Sequence, residues 1–254
     1  MDTDWMNTDV LVIGGGLSGL TAAYEAAIVH KTRVVLLKNG SGASPFVHGF
    51  NVPLDPRDSA ECFFEDTIRS GYHQNDPKLA KKLCSEASAL PPFLHGLGIE
   101  FDRANGAYKL IRPLGATYPR VASVGNATGG AIMQKLRLAL EASENCEMIG
   151  HVRALGLLTE DGSVCGARCR DVRTGKPMYF GAKAVVLATG GFCGIFPFSS
   201  NTSDIGGDGI AMAYEAGATL RDLEFIQFEP TVSVFPETVR GKGDLIVQFD
   251  DVPT

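Results

Sequence analysis

Six residues, Gly14-Gly15-Gly16-Leu17-Ser18-Gly19, stand between the apolar run Asp9-Val10-Leu11-Val12-Ile13 and the Ala-rich stretch Leu20–Ala27. A short apolar run that stops at glycines reads as a strand buried on both faces, and the Ala-rich stretch as a helix. Arg33-Val34-Val35-Leu36-Leu37 supplies a second buried strand, so the first 37 residues form a βαβ unit. In such a unit the spacing Gly14-x-Gly16-x-x-Gly19 divides the labour. Gly14 allows the tight turn, Gly16 lets a pyrophosphate approach the backbone, and Gly19 lets the helix lie close on the sheet. The amides of Leu17, Ser18 and Gly19, with the positive end of the helix dipole, then face the phosphates. The pattern predicts a dinucleotide site.

Which dinucleotide is left open at this level. An acid is expected on the ribose hydroxyls about 20 residues further on. Lys38 stands there, 19 residues after Gly19. Lys38 could answer a 2′-phosphate, as in NADP. It could equally be solvated while its backbone, or Asn39, holds the ribose of FAD.

Composition narrows the class. Apolar residues make up 44% of the 254 and charged residues 20%, enough apolar surface for a core and against a disordered chain. A net charge of −6 argues against a nucleic-acid partner, which needs a basic field. No apolar stretch approaches the length of a membrane span, and the acidic start, Met-Asp-Thr-Asp-Trp-Met, lacks the basic region of a signal peptide. The six cysteines are scattered, with only Cys165 and Cys169 close together. They read as reduced thiols of a cytoplasmic protein, with no second ligand pair for a metal.

Further along, residues 38–52 form a small-residue loop. Asp76-Pro77 predicts a capped helix start, and Pro91-Pro92 its end or kink. Gly129–Ala142 reads as a helix with Ile132, Leu136 and Leu140 on one face. Between Cys146 and Ala182, the turn signals Asp161-Gly162 and Thr174-Gly175 predict an antiparallel meander of three or four strands. Ala184–Ala188 returns to the buried parallel type, a helix follows at about Gly207–Ala216, and the pattern is irregular after Gln227.

Several motifs then occur in order: Gly98-Ile99-Glu100-Phe101, Pro119-Arg120, Ala127-Thr128-Gly129, Ala188-Thr189-Gly190-Gly191, Ser200-Asn201, Gly207–Ala213, Ala216-Gly217-Ala218 and Gln227-Phe228-Glu229-Pro230-Thr231. Over residues 9–231 this series resembles the flavoprotein subunit of succinate dehydrogenase and fumarate reductase, and L-aspartate oxidase. The resemblance implies an α/β fold, a Rossmann-like FAD-binding domain over 1–231 with a parallel sheet plus an antiparallel β-meander. It implies FAD rather than NADP. The pyrophosphate would lie on Gly14–Gly19, the ribose near Lys38, and the flavin ring against the 42–51 loop with Gly42, Ala43, Ser44 and Gly49. The adenine would meet the backbone near Val152, while Ala188, Thr189 and Gly190 close over the cofactor. Asp208 matches an acid of the family's FAD domain; its other reading is a helix N-cap.

Departures from the family shape the expectation. The stretch matching the tethering Ser-His-Thr reads Ser41-Gly42-Ala43, which implies non-covalent FAD, and His48 reads as a loop histidine. Glu229 stands where the family has a substrate-binding histidine. Ionised, it would repel a dicarboxylate by about 4 kcal/mol at about 4 Å. The family's Thr-Glu pair and proton-donating arginine are not recognisable in residues 232–254, and Arg240 lies out of motif. Those residues read as the start of a capping region or a divergent tail, with the capping domain absent or incomplete, in a fragment, split-gene product or truncation. The function implied is hydride transfer between flavin and an activated carbon–carbon bond of a small-molecule substrate. The alternative is a catalytically silent flavin-binding or electron-transfer module. That module would be completed by a partner chain, and the partners expected are a small-molecule substrate in the full enzyme and a partner chain or electron-donor protein.

Overall fold

The computed structural model describes residues 4–228. Strand β1 (Asp4–Ile13) runs into the glycine turn and helix α1 (Leu17–Tyr24), whose end widens into a π turn before β2 (Val34–Lys38). Next come β3 (Gly49–Asn51), α2 (Ala60–Ser70), α3 (Pro77–Glu86), α4 (Leu90–Gly96), the two-residue strands β4 (Arg103–Ala104) and β5 (Ala107–Tyr108), and β6 (Val121–Ser123). Helix α5 (Thr128–Glu141) leads to β7 (Cys146–Gly150), β8 (Val152–Glu160), β9 (Ser163–Asp171), β10 (Pro177–Leu187) and α6 (Asp208–Glu215). Two compact units result: residues up to Ala43 together with those from Leu140 onward, and Ser44–Ala139.

The first unit is built on one sheet of order β7-β2-β1-β10-β9-β8. β1 pairs in parallel with β2 on one side and β10 on the other. Strands in this position are buried on both faces, which is why they carry unbroken apolar runs. Leu11, Ile13, Val35 and Leu37 share a core with Val152 and Ala154 of β8, Phe180 of β10 and Met212 of α6. By alternation Val12, Val34 and Leu36 face the other side, all at or below 1% exposure, and α1 buries Leu20 and Ala23.

Two strands differ from the sequence expectation. The segments read separately as the last meander strand and the parallel return are one continuous strand, β10. Its residues 177–181 pair antiparallel with β9, while 178–187 pair parallel with β1. This also extends β1 back to Asp4. Cys146–Gly150 is not part of the meander: β7 lies parallel to β2 at the sheet edge. A five-residue run carries no sign of its partner's direction, so local pattern could not separate the two pairings. The meander proper has three strands, turning at the two sites read from the sequence.

In the second unit, helix starts follow local chemistry. The Ser59 hydroxyl accepts from the Cys62 amide to cap α2. Asp76 caps α3 through the Lys78 and Leu79 amides, with Pro77 at the first helical position. Pro91 and Pro92 do not kink α3, which ends at Glu86; they open α4, where a missing N–H costs nothing. The unit buries a charge at Arg120, 1% exposed. Its guanidinium holds Asp58 through two bonds of 3.0 and 2.9 Å, Asp66 at 2.8 Å, and lies 4.8 Å from the Phe63 ring centre. Burial pushes the Asp66 carboxyl up. The Thr117 amide and hydroxyl at 2.7 and 2.8 Å, with Arg69 and Arg120, outweigh that and leave it below its usual value.

Replacing Arg120 by Met removes the cation that two buried carboxylates share, so Arg120→Met should destabilise the protein by about 3–5 kcal/mol at pH 7. Because Asp66 titrates low when paired, its contribution is present above about pH 4 and fades below it. The loss measured by urea unfolding should therefore shrink as the pH drops towards 3. An equal loss at both pH values would contradict this account of the network.

Candidate dinucleotide site

The register of the sheet gathers the expected site residues of the first unit. Ile13 lies opposite Leu37 on one side and Leu187 on the other. The next residue of each strand, Gly14, Lys38 and Ala188, therefore sits at the same carboxyl edge, where ligands of parallel sheets bind. The Gly14 N–H donates to the Leu37 carbonyl at 2.9 Å, and the Ala188 N–H to the Ile13 carbonyl at 2.8 Å.

Each glycine meets a distinct demand. Gly14 has φ +123°, and a Cβ there would stand 2.2 Å from the Ala188 carbonyl oxygen. On Gly19 a Cβ would stand 1.9 Å from the Gly14 oxygen, so α1 meets the strand end with no room for a side chain. Gly16 is the N-cap of α1, extended at φ −78° and ψ −174°, and contributes no side-chain acceptor. The first helical bond is the Leu20 N–H to the Gly16 carbonyl, so the Ser18 and Gly19 amides precede the helical ladder, as a bound phosphate requires. These features fit a pyrophosphate: the backbone is bare where it must approach, and donors line the approach. The Lys38 stem passes within 2.7 Å of a Gly15 Cβ position, so Gly15 is the space it occupies.

Beyond β10, a Cβ on Gly209 would collide with the Thr189 hydroxyl, which places the start of α6 directly on Thr189. Gly190 has φ +74°, with the Ile205 side chain 3.5 Å from its Cβ position. Asp208 does not cap the helix. Gly207 is the N-cap, in the left-handed region at φ +82°, and the Asp208 carboxylate turns instead to Arg153, 2.9 Å from Nε. A single-sequence reading offers no signal for that partner on β8. Val152 is 3% exposed in the core, so a ligand could meet only its backbone. Its neighbours Arg153, Ala154 and Leu155 line a hollow of about 140 Å³ with Asp208, Ala211, Met212 and Glu215.

Gly42, at φ +61° with open space around it, and Ala43 close the first unit's N-terminal stretch. In the second unit, Ser44–Phe46 forms a 3-10 turn and Gly49 begins β3, its Cβ position 2.7 Å from the Ala122 carbonyl. This strip is fixed by the start of α5. The Gly129 N–H donates to the Val47 carbonyl at 2.8 Å, the buried Thr128 hydroxyl donates to the His48 carbonyl, and the His48 ring is 3.1 Å from the Asn126 carbonyl. Glu229, Arg240 and the tail lie outside the described residues.

Residues 9–253 match a family described as an FAD binding domain. The chain is 38% identical over 250 residues to a subunit of the CoM/CoB fumarate reductase of Methanothermobacter marburgensis, covering 95% of this chain and 45% of that protein. It is 32% identical to L-aspartate oxidase of Neisseria meningitidis, covering 97% of this chain and 51% of the relative. Its fold is similar to the Mycobacterium smegmatis Sdh1 complex in the apo form, with a TM-score of 0.89 and 32% identity over 94% of this chain and 43% of that one. The chain thus spans about half the length of the curated relatives it matches.

The glycines predict two separable phenotypes. Gly16→Val should lower affinity for FAD at least tenfold, about 1.4 kcal/mol, with thermal unfolding unchanged. Gly19→Val should destabilise the fold itself by about 3 kcal/mol, because the new side chain meets backbone. Fluorescence titration and melting of both variants check the pair; unaltered FAD binding in Gly16→Val would remove the phosphate-loop assignment.

Proposed function

The chain belongs to the FAD binding domain family, and on that premise we propose that it holds FAD non-covalently as the cofactor-bearing part of an oxidoreductase acting on an activated carbon–carbon bond. The observation that carries the reading is a glycine turn, Gly14–Gly19, at the carboxyl ends of three parallel strands, leading into a helix start that no side chain caps. When bound, FAD supplies reversible two-electron chemistry. The chain's own residues hold and shield it. The Ser18 and Gly19 amides receive the pyrophosphate, Ala188, Thr189 and Gly190 close over it, the adenine meets the backbone at Val152 beside Asp208, and the strip from Gly42 to Gly49 meets the ring. Ser41-Gly42-Ala43 offers no histidine for a covalent link. Residues 1–231 form the cofactor-holding portion, and 232–254 lead into a covering region or a tail.

Glu229 favours an acceptor with less negative charge than fumarate, since a carboxylate there opposes a dicarboxylate. It equally supports a second reading, in which the flavin relays electrons with no substrate pocket of its own. A partner chain or electron-donor protein suits both, because relatives are named as one subunit of an enzyme or as part of a complex. Among the described residues no helix is long and apolar enough to cross a membrane. All six cysteines are free, and burial pushes the Cys146 thiol up to about 11 and the Cys169 thiol to about 12, so both stay protonated and unreactive at neutral pH.

Acid precipitation of FAD-loaded protein should leave the yellow flavin in the supernatant. Flavin carried down with the pellet would show a covalent link and overturn the non-covalent reading.

A further inference from the structure

The acid missing from the end of β2 has a replacement supplied from elsewhere in the first unit. Parallel sheets of this type place an acid on the adenosine ribose just beyond their second strand, and Lys38 holds that position here. Two residues further on, Gly40 has φ +150°, and the Asp204 carboxylate occupies the space of its missing side chain. Oδ2 lies 2.2 Å, Cγ 2.7 Å and Cβ 3.3 Å from where a Cβ would stand. Any side chain at residue 40 would expel this carboxylate. Asp204 comes from the segment between β10 and α6, and its placement is not incidental. Its neighbour Ile205 is 5% exposed and packs against Gly190, and the Ile205 carbonyl accepts from the Gly194 N–H at 2.8 Å. Upstream, Ser199, Asn201 and Thr202 side chains accept from the amides of Asn201, Thr202 and Asp204, fixing the turn. Ile205 is thus a buried peg, and Asp204 beside it reaches the β2 end. The Lys38 stem passes Gly15 and reaches the end of β7, its Cε 3.7 Å from a Gly150 Cβ position.

We propose that Asp204 is the ribose-recognition residue of the dinucleotide site, accepting from a free 2′-hydroxyl and rejecting a 2′-phosphate. The inference deepens the proposed FAD site and rests on it. A carboxylate accepts from a hydroxyl but only repels a phosphate. Asp204 therefore answers the question Lys38 left open, in favour of a dinucleotide with an unmodified adenosine ribose. It is a specificity residue and takes no part in electron transfer.

The test uses the purified protein with FAD, ADP, 2′-deoxy-ADP and ADP bearing a 2′-phosphate as probes. The parent should bind ADP about tenfold more tightly than 2′-deoxy-ADP, the loss expected for one charge-assisted hydrogen bond, and should discriminate at least as strongly against the 2′-phosphate. Asp204→Ala removes an exposed side chain, so circular dichroism and melting should match the parent. It should bind ADP and 2′-deoxy-ADP equally, lose about tenfold in FAD affinity, and admit the 2′-phosphate. Asp204→Asn, which still offers an acceptor, should retain part of the preference for ADP over 2′-deoxy-ADP while also admitting the 2′-phosphate. A parent that binds ADP and 2′-deoxy-ADP alike, or an Asp204→Ala variant that keeps the parental ratio, overturns the inference while leaving the FAD site standing. A parent that binds neither FAD nor ADP overturns the FAD site itself, and the inference with it.

Discussion

The pairing of β1 between β2 and β10 is the arrangement on which the rest depends. Because both neighbours are parallel to it and in step, three chain segments far apart in sequence end at one level. Gly14, Lys38 and Ala188 become neighbours through backbone hydrogen bonds alone. The packing on either side, α1 on one face and the meander with α6 on the other, serves to keep that level fixed. A one-residue slip of β10 would invert every side chain of Pro177–Leu187 and carry Ala188 away from Gly14.

Crowding at that edge explains why glycine recurs there. Gly14 and Gly19 are demanded by neighbouring backbone, and Gly40 and Gly209 by side chains that must pass, Asp204 and Thr189. Gly16, on the proposed function, is demanded by the cofactor. The first four are therefore tied to the fold or to the shape of the site, whereas the last is tied to binding. A glycine-rich motif combines these demands in a single string of letters.

Much of this was legible in the sequence where the cause is local. The apolar runs, the glycine spacing, the Asp76-Pro77 cap and the turns at Asp161-Gly162 and Thr174-Gly175 all act within a few residues, and the structure has them in place. What escaped was set by distant partners. β10 looks like two strands because its character changes where its second neighbour changes, and β7 reveals its direction only through β2. Asp208 suits a cap by type, yet Gly207 caps and Arg153 claims the carboxylate, 55 residues away. Arg120 fits its motif, but its partners Asp58 and Asp66 lie in a different part of the chain. Asp204, in a turn-forming segment, is indistinguishable from a solvated loop acid until Gly40 is seen beneath it.

β10 also bears on the order in which the protein can be made. Ile13 leaves the ribosome early but meets Leu187 only after the intervening chain has been synthesised. At about 5–20 residues per second, that interval is roughly 10–35 s. Through it, β1 has an open edge, a row of unpaired N–H and C=O groups beside an apolar strand. Ser44–Ala139 is contiguous and emerges whole within that window, so its buried Arg120 network can assemble before the sheet closes. Release of the nascent chain before β10 would leave β1 with one of its two partners, which gives translation speed and chaperone access a direct hold on yield.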